Sequence, residues 1–308
     1  MHAFFRSQAA AYVLLPISAA SWAGNHVLAR AVAGEATPPA SLCAVRWLML
    51  SVLLGFLYRD TITRDLPKLK AGMGAILFLG LIGAAGFSTL QYVALQYTTA
   101  LNMGVVGSIA PAFIVTASYL LFGDRMGPRQ LVGVFISLAG VLGIVCKLHP
   151  ELLASLSFNL GDVLVIANML MWAIYSACLR LRPAVQPMSF IFAISVVALF
   201  ANIPVAIGEY AWGMRLQATP LTIFTILYSG LVTTLLAYLA WNRGIELVGA
   251  PRASAFLHTI PLFSAVFATS FLGERIELYH VVGFVLILSG VTLAARQEKA
   301  ATRTSPKA

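Results

Sequence analysis

Ten mostly apolar stretches, each close to 20 residues long, follow one another along the chain with little between them. The first five run approximately Ala9 to Ala29, Ser41 to Tyr58, Gly72 to Tyr92, Ala100 to Phe122 and Gln130 to Cys146. The second five run Asp162 to Leu179, Met188 to Ile207, Pro220 to Trp241, Ala250 to Leu272 and Leu278 to Ala295. About 20 apolar residues in a helix cross the roughly 30 Å hydrocarbon core of a bilayer. A backbone in lipid must satisfy its own hydrogen bonds, so spans are helices or strands of a closed barrel. The alternation that marks barrel strands is absent. The expected fold class is therefore all-α integral membrane, with ten transmembrane helices.

Composition agrees. Of 308 residues, 60% are apolar and 10% charged, against about 25% charged in soluble proteins. The net charge of +9 is spread between the apolar stretches and over the two ends, without the long basic run of a nucleic-acid binder. Cys43, Cys146 and Cys178 are odd in number and lack metal-ligand spacing, which reads as core filling. The apolar run after Arg6 imitates a secretory leader, but the later stretches and the repeat make it the first transmembrane helix. The linkers "YTT" (Tyr97 to Thr99) and "GERIE" (Gly273 to Glu277) leave no room for a further domain. The longest linkers are "RDTITRDLPKLK" (Arg59 to Lys70) and the segment from His149 to Asn159.

Lysines and arginines flanking spans set orientation. With the N-terminus inside, fifteen fall in inside segments and four, Arg30, Lys147, Arg215 and Arg275, fall outside, with Arg46 within a span. This bias predicts both termini in the cytoplasm.

One sentence of the sequence is written twice. "GSIAPAFIVTASYLLFGDR" (Gly107 to Arg125) and "LHTIPLFSAVFATSFLGER" (Leu257 to Arg275) match at Pro111 and Pro261, Phe113 and Phe263, Gly123 and Gly273, Asp124 and Glu274, Arg125 and Arg275. The offset of 150 persists in "ILFLGL" and "ILYSGL", in Gly133, Gly140 and Val141 with Gly283, Gly290 and Val291, and in Trp22 and Arg30 with Trp172 and Arg180. Each copy holds five spans, an odd number, so the second enters the membrane from the opposite side. The domains expected are a first five-helix repeat (1–147), a second, inverted one (148–296) and a disordered cytoplasmic tail (297–308). Inverted repeats place a site near the midplane between the halves, opened alternately to each side.

Ten spans in two five-helix copies, with P-x-F and G-[DE]-R ending the fourth span of each, resemble the EamA family of the drug/metabolite transporter superfamily. "ALQYTTALNMGVV" and "AWNRGIELVGAPRASAF" resemble that family's stretches after the third and eighth spans. The likeness covers Ala9 to Ala295 and is closest to YddG-type amino-acid exporters. It implies export of small metabolites through a central cavity lined by spans 1, 3, 4, 6, 8 and 9, in the inner (plasma) membrane.

The residues on those spans point to a ligand class. Span 1 carries Trp22, Asn25 and His26, and span 3 carries Ser88, Gln91 and Tyr92, each set on one helical stripe. Span 6 carries Trp172, Tyr175 and Ser176, and span 8 carries Tyr238, Trp241 and Asn242. Ser108 precedes Pro111 and His258 precedes Pro261. Unpaired polar groups facing lipid are costly, so these stripes should line the cavity, with bonding between helices as the bland alternative. Aromatic walls with hydrogen-bonding groups and no fixed anion suit a neutral or zwitterionic solute, an apolar or aromatic amino acid above all. Arg46, about one turn into its span, reads as snorkelling or capping, with substrate contact as the alternative. Pro111 and Pro261 break their helices and serve as hinges. No carboxylate lies mid-span, which favours facilitated diffusion or exchange over proton coupling; proton-coupled efflux of drugs or other metabolites is the rival. An intramembrane enzyme is disfavoured, since H-E-x-x-H and G-x-S-x-G are absent. No cofactor, metal, nucleic acid or obligatory protein partner is expected, only a small-molecule substrate and the lipid bilayer.

Overall fold

The computed structural model describes residues 7–35, 37–98, 103, 106–124, 126–146, 148–149, 151, 159–272 and 277–295. Arg125, Lys147, Gly273, Glu274, Arg275 and the expected tail at 297–308 lie outside them. Every regular element among the described residues is helical. In chain order these are α1 (Ala11–Gly34), α2 (Pro39–Leu57), α3 (Arg59–Ala71), α4 (Met73–Tyr97), α5 (Ala110–Phe122) and α6 (Pro128–Val145). The second copy follows with α7 (Leu160–Cys178), α8 (Pro187–Ala211), α9 (Pro220–Val248), α10 (Ala250–Ser254), α11 (Ile260–Leu272) and α12 (Leu278–Ala295). Among the described residues, five helices are long and apolar enough to cross a membrane: α2, α4, α7 with its continuation to Leu181, α8 and α9. α5, α6 and α12 are shorter apolar helices. Large apolar side chains such as Phe56, Leu120, Phe135, Phe200 and Val285 point outward, which suits lipid and would be a liability in water.

The linker Arg59 to Lys70 is itself a helix. α3 turns Ile62, Asp65 and Leu69 to the protein, a spacing of three and four that puts them on one face. Asp65 accepts the Gln186 N–H at the start of α8 at 2.8 Å. That bond, then one from Ser189, holds its carboxyl below the usual carboxylate range. The tie is intact at neutral pH and is lost as pH falls through the lowered value.

Two pairs of equivalent helices, α2 with α8 and α6 with α12, pack directly on one another, and they run antiparallel. Along α2 and α8, Ala40 and Ser41 donate to Glu209 at 2.8 Å, while Ser51 donates to Ser195 at 3.1 Å. As α2 advances, its partner positions recede. α6 and α12 show the same order with glycines in contact. A Cβ on Gly133 would sit 2.5 Å from the Gly290 carbonyl, and one on Gly140 would sit 2.8 Å from that of Gly283. These four glycines are the two repeat-matched pairs, exchanged across the contact. Such close backbone approach is how small residues pack helices in lipid, where apolar burial gives no drive for association.

Loop contacts sort to two ends of the bundle. At one end, beside the Asp65 tie, Arg180 pairs with Asp124, and Arg182 and Arg243 pair with Glu246. At the other, Glu209 holds the α2 N-terminus, Thr219 donates to Glu35 at 2.9 Å, and Thr98 donates to Asp162 at 2.6 Å.

Gly133→Ala drives a methyl into backbone on α12, so it should lower stability by about 1–3 kcal/mol. Gly74, with nothing within 4 Å of a built Cβ, should accept Ala with no loss. Thermal unfolding midpoints of the two variants in one detergent check the contrast.

Candidate functional site

Both copies interrupt an equivalent long helix, α4 and α9, at overlapping repeat positions. α4 is π-helical over Gly80–Gly86, and α9 over Tyr228–Leu236. A π turn widens the helix and marks functional positions more often than chance. In α4 its glycines admit neighbours: a Cβ on Gly83 would lie 2.0 Å from the Tyr175 ring, and one on Gly86 2.1 Å from Met171. The Tyr238 hydroxyl donates to the Gly83 carbonyl at 2.5 Å, so a second-copy side chain satisfies backbone that the π turn opens.

Around these turns lies one aromatic cluster. Trp172 is its centre, 5.0 Å from Trp22, 4.5 Å from Phe87, 5.2 Å from Tyr175, 5.5 Å from Tyr238 and 5.6 Å from Trp241. Trp22 and Trp241 also meet edge to face at 5.4 Å. Five of these six rings belong to the residues expected to line the cavity; here they pack against one another, and Phe87 is the member that the sequence reading omitted.

The polar groups are paired by the repeat. Tyr92 donates to Asn25 at 3.0 Å, and Tyr175 donates to Asn242 at 2.9 Å. Asn25 and Tyr175 are repeat mates, as are Tyr92 and Asn242. The bond therefore occurs twice, with donor and acceptor exchanged. A second matched pair runs between the halves with donor and acceptor kept: Ser18 donates to the Ala237 carbonyl at 3.0 Å and its mate Asn168 to that of Phe87 at 2.5 Å. Trp47 donates to Ser88, and Trp241 to Ser176, each at 3.2 Å. Gln91 is buried and His26 half-buried on their helices.

His258 and Ser108, also repeat mates, face each other. Nε2 of His258 lies 3.1 Å from the Ser108 carbonyl, and Nδ1 lies 2.5 Å from the Ser137 hydroxyl. A carbonyl only accepts, so Nε2 carries a proton. The structure thus brings Ser108 and His258 together, but ties them to α6 rather than to the aromatic cluster. Beside them, α5 begins at Ala110 and α11 at Ile260, with Pro111 and Pro261 in their first turns. A non-α segment precedes each, so the prolines restart helices rather than bend continuous ones.

Arg46 departs from the sequence reading. It does not snorkel: 2% of its surface is exposed, and its guanidinium carbon lies 5.0 Å from the Trp47 ring and 5.8 Å from the Tyr92 ring. Among the described residues no group of three or more His, Cys, Asp and Glu could hold a metal.

A helical chain with lipid-suited outer faces, built of two copies that embrace an aromatic and amide core, is a membrane transport protein. A model of the EamA-like transporter family matches it twice, at residues 9–146 and 159–296. The chain belongs to the EamA-like transporter family. It is similar to the uncharacterized transporter YyaM of Bacillus subtilis, 28% identical with 87% of this chain and 88% of that one aligned. An uncharacterized transporter of Archaeoglobus fulgidus is 27% identical over 93% and 98%. The uncharacterized inner membrane transporter YhbE of Escherichia coli is 24% identical over 94% and 92%. A solved crystal structure shares the fold, with a TM-score of 0.69 at 16% identity over 92% of this chain and 96% of that one.

If the exchanged Tyr–Asn bonds are equivalent, a double-mutant cycle on Asn25→Ala with Tyr92→Phe and one on Asn242→Ala with Tyr175→Phe should give similar couplings. Each should be about 0.6 kcal/mol, the typical bond between membrane helices, measured by unfolding in mixed detergent micelles.

Proposed function

We propose that this transporter spans the inner (plasma) membrane ten times as two inverted halves, residues 1–147 and 148–296, with both termini cytoplasmic. In this reading it carries small neutral or zwitterionic metabolites, apolar or aromatic amino acids foremost, by alternating access. The observation that carries the reading is the pair of repeat-matched bonds between the halves, Ser18 to Ala237 and Asn168 to Phe87, beside the Trp22–Trp172–Trp241 cluster. Two halves related in this way can close over a solute from either side at equal cost, which is what alternating access requires. The end of the bundle that gathers Asp65, Arg180, Arg182 and Arg243 is the arginine-rich one, and so the cytoplasmic one.

Aromatic rings offer an amino acid apolar area and a face for its ammonium group. Trp22, Asn25, His26, Ser88, Gln91, Tyr92, Ser108, Trp172, Tyr175, Ser176, Tyr238, Trp241 and His258 are the proposed lining, and Pro111 and Pro261 the hinges. Because the rings now touch one another, admitting a solute means parting α1 and α7 from α4 and α9. The π turns give those helices a ready point of deformation. Export by facilitated diffusion or exchange is favoured over proton coupling, since the buried acids Asp65, Asp162 and Glu209 sit at the ends of the bundle, held by donors.

Proteoliposomes loaded with unlabelled L-phenylalanine should take up labelled L-phenylalanine with no imposed pH gradient, and an internal pH dye should stay constant. Uptake that appears only with a proton gradient would favour proton-coupled efflux, and no uptake of any apolar amino acid would overturn the substrate assignment.

A further inference from the structure

Among the buried side-chain atoms with no hydrogen-bond partner, four are N–H donors, and they fall on only three residues. They are Nε1 of Trp22, Nδ2 of Asn25, and Nε and Nη2 of Arg46. The three residues are 5%, 0% and 2% exposed. Trp22 and Asn25 share a face of α1. Asn25 accepts from the Tyr92 hydroxyl at 3.0 Å, and the Tyr92 ring lies 5.8 Å from the Arg46 guanidinium carbon. Opposite the Arg46 stem lies Gly230 of the α9 π turn, where a Cβ would stand 3.6 Å from Arg46 Cγ.

An arginine in a protein stays charged, and a buried charge without a partner is strongly unfavourable. No carboxylate pairs with Arg46 among the described residues. Glu209, which holds the start of the same helix, already accepts from two backbone N–H groups and the Ser41 hydroxyl. The faces of Trp47 and Tyr92 attract the cation but accept no strong hydrogen bond. Nε and Nη2 form one edge of the planar guanidinium, and that edge matches the two oxygens of a carboxylate. The open valences on these three residues are donors, so the group missing beside them is an acceptor. With one cation present it is a monoanion; a phosphate dianion would leave a charge uncompensated.

We propose that the Nε/Nη2 edge of Arg46 binds the carboxylate of the transported solute, with Asn25 Nδ2 and Trp22 Nε1 as further donors. The proposal rests on the transporter reading and narrows its substrate class to apolar acids and amino acids with a free carboxylate. Uncharged amides and lipophilic cations are rejected, because they leave the N–H edge unpaired.

The test uses the full chain in nanodiscs and titrates intrinsic tryptophan fluorescence with phenylacetate, phenylacetamide and L-phenylalanine. Phenylacetate should bind at least tenfold more tightly than phenylacetamide. Arg46→Gln should erase that ratio, and Arg46→Lys, which keeps the charge but not the fork, should retain a smaller preference for the acid. Should Arg46→Gln fail to fold, the wild-type ratio and the Arg46→Lys variant still decide. Binding of phenylacetate without L-phenylalanine supports the Arg46 site while removing the amino-acid assignment. Equal binding of acid and amide, binding of neither, or an undiminished ratio in Arg46→Gln overturns the proposal.

Discussion

The contacts of α2 with α8 and of α6 with α12, each a helix on its own repeat mate, are what the rest of the structure hangs on. α6 meets α12 glycine on glycine, and α2 lies along α8, in both cases antiparallel. Lipid tails are as apolar as leucine, so helices here are held by close backbone packing and hydrogen bonds rather than by exclusion of water. Bare glycine at Gly133, Gly140, Gly283 and Gly290 permits the approach, and a Cβ at any of the four would meet backbone. Beside those pairs α1 faces α9 and α7 faces α4, and the matched bonds Ser18–Ala237 and Asn168–Phe87 lie on those two contacts.

The same relation explains why the centre is both tight and poised to change. A polar group placed among the rings needs a partner, and three find one across the boundary between the halves: Tyr238 on Gly83, Ser18 on Ala237, Asn168 on Phe87. Bonds of this kind can be exchanged for bonds to a solute at small net cost. The donors left over on Trp22, Asn25 and Arg46 break the symmetry of the site. Position 196, the repeat mate of Arg46, is Val196, so only one half supplies a charge. A carrier whose frame is doubled can thus hold its solute in one orientation.

Much of this was legible in the sequence, and what was not has identifiable causes. The repeat at an offset of 150, the helical class and the family resemblance stand on patterns spread over the whole chain, which local irregularity does not blur. The stripes on α1, α4, α7 and α9 were readable because helical spacing places Trp22 with Asn25 and Trp172 with Tyr175. Their pairing was not, because it depends on which helices face each other. The linker from Arg59 to Lys70 hid a helix, since Pro67 and six charges mask the single buried stripe of Ile62, Asp65 and Leu69. The glycines from Gly80 to Gly86 permit close approach but do not reveal a π turn, which needs one more residue per turn rather than a different composition. Burial of Arg46 was missed for a related reason. Depth along the helix is readable from sequence, but the direction of a long side chain is set by what packs against it, here Trp47, Tyr92 and Gly230.

The central claim is that the two halves are inverted copies in one membrane, and sided labelling tests it most directly. In α2 and α8, Tyr58 and Trp212 lie just past the C-terminal ends of matched helices, and Trp212 is 85% exposed. Single cysteines at the two positions, with Cys43, Cys146 and Cys178 replaced, would be exposed to a membrane-impermeant maleimide in right-side-out and inverted vesicles. The account predicts that Trp212→Cys reacts only in right-side-out vesicles and Tyr58→Cys only in inverted ones; reaction of both from the same side would contradict it.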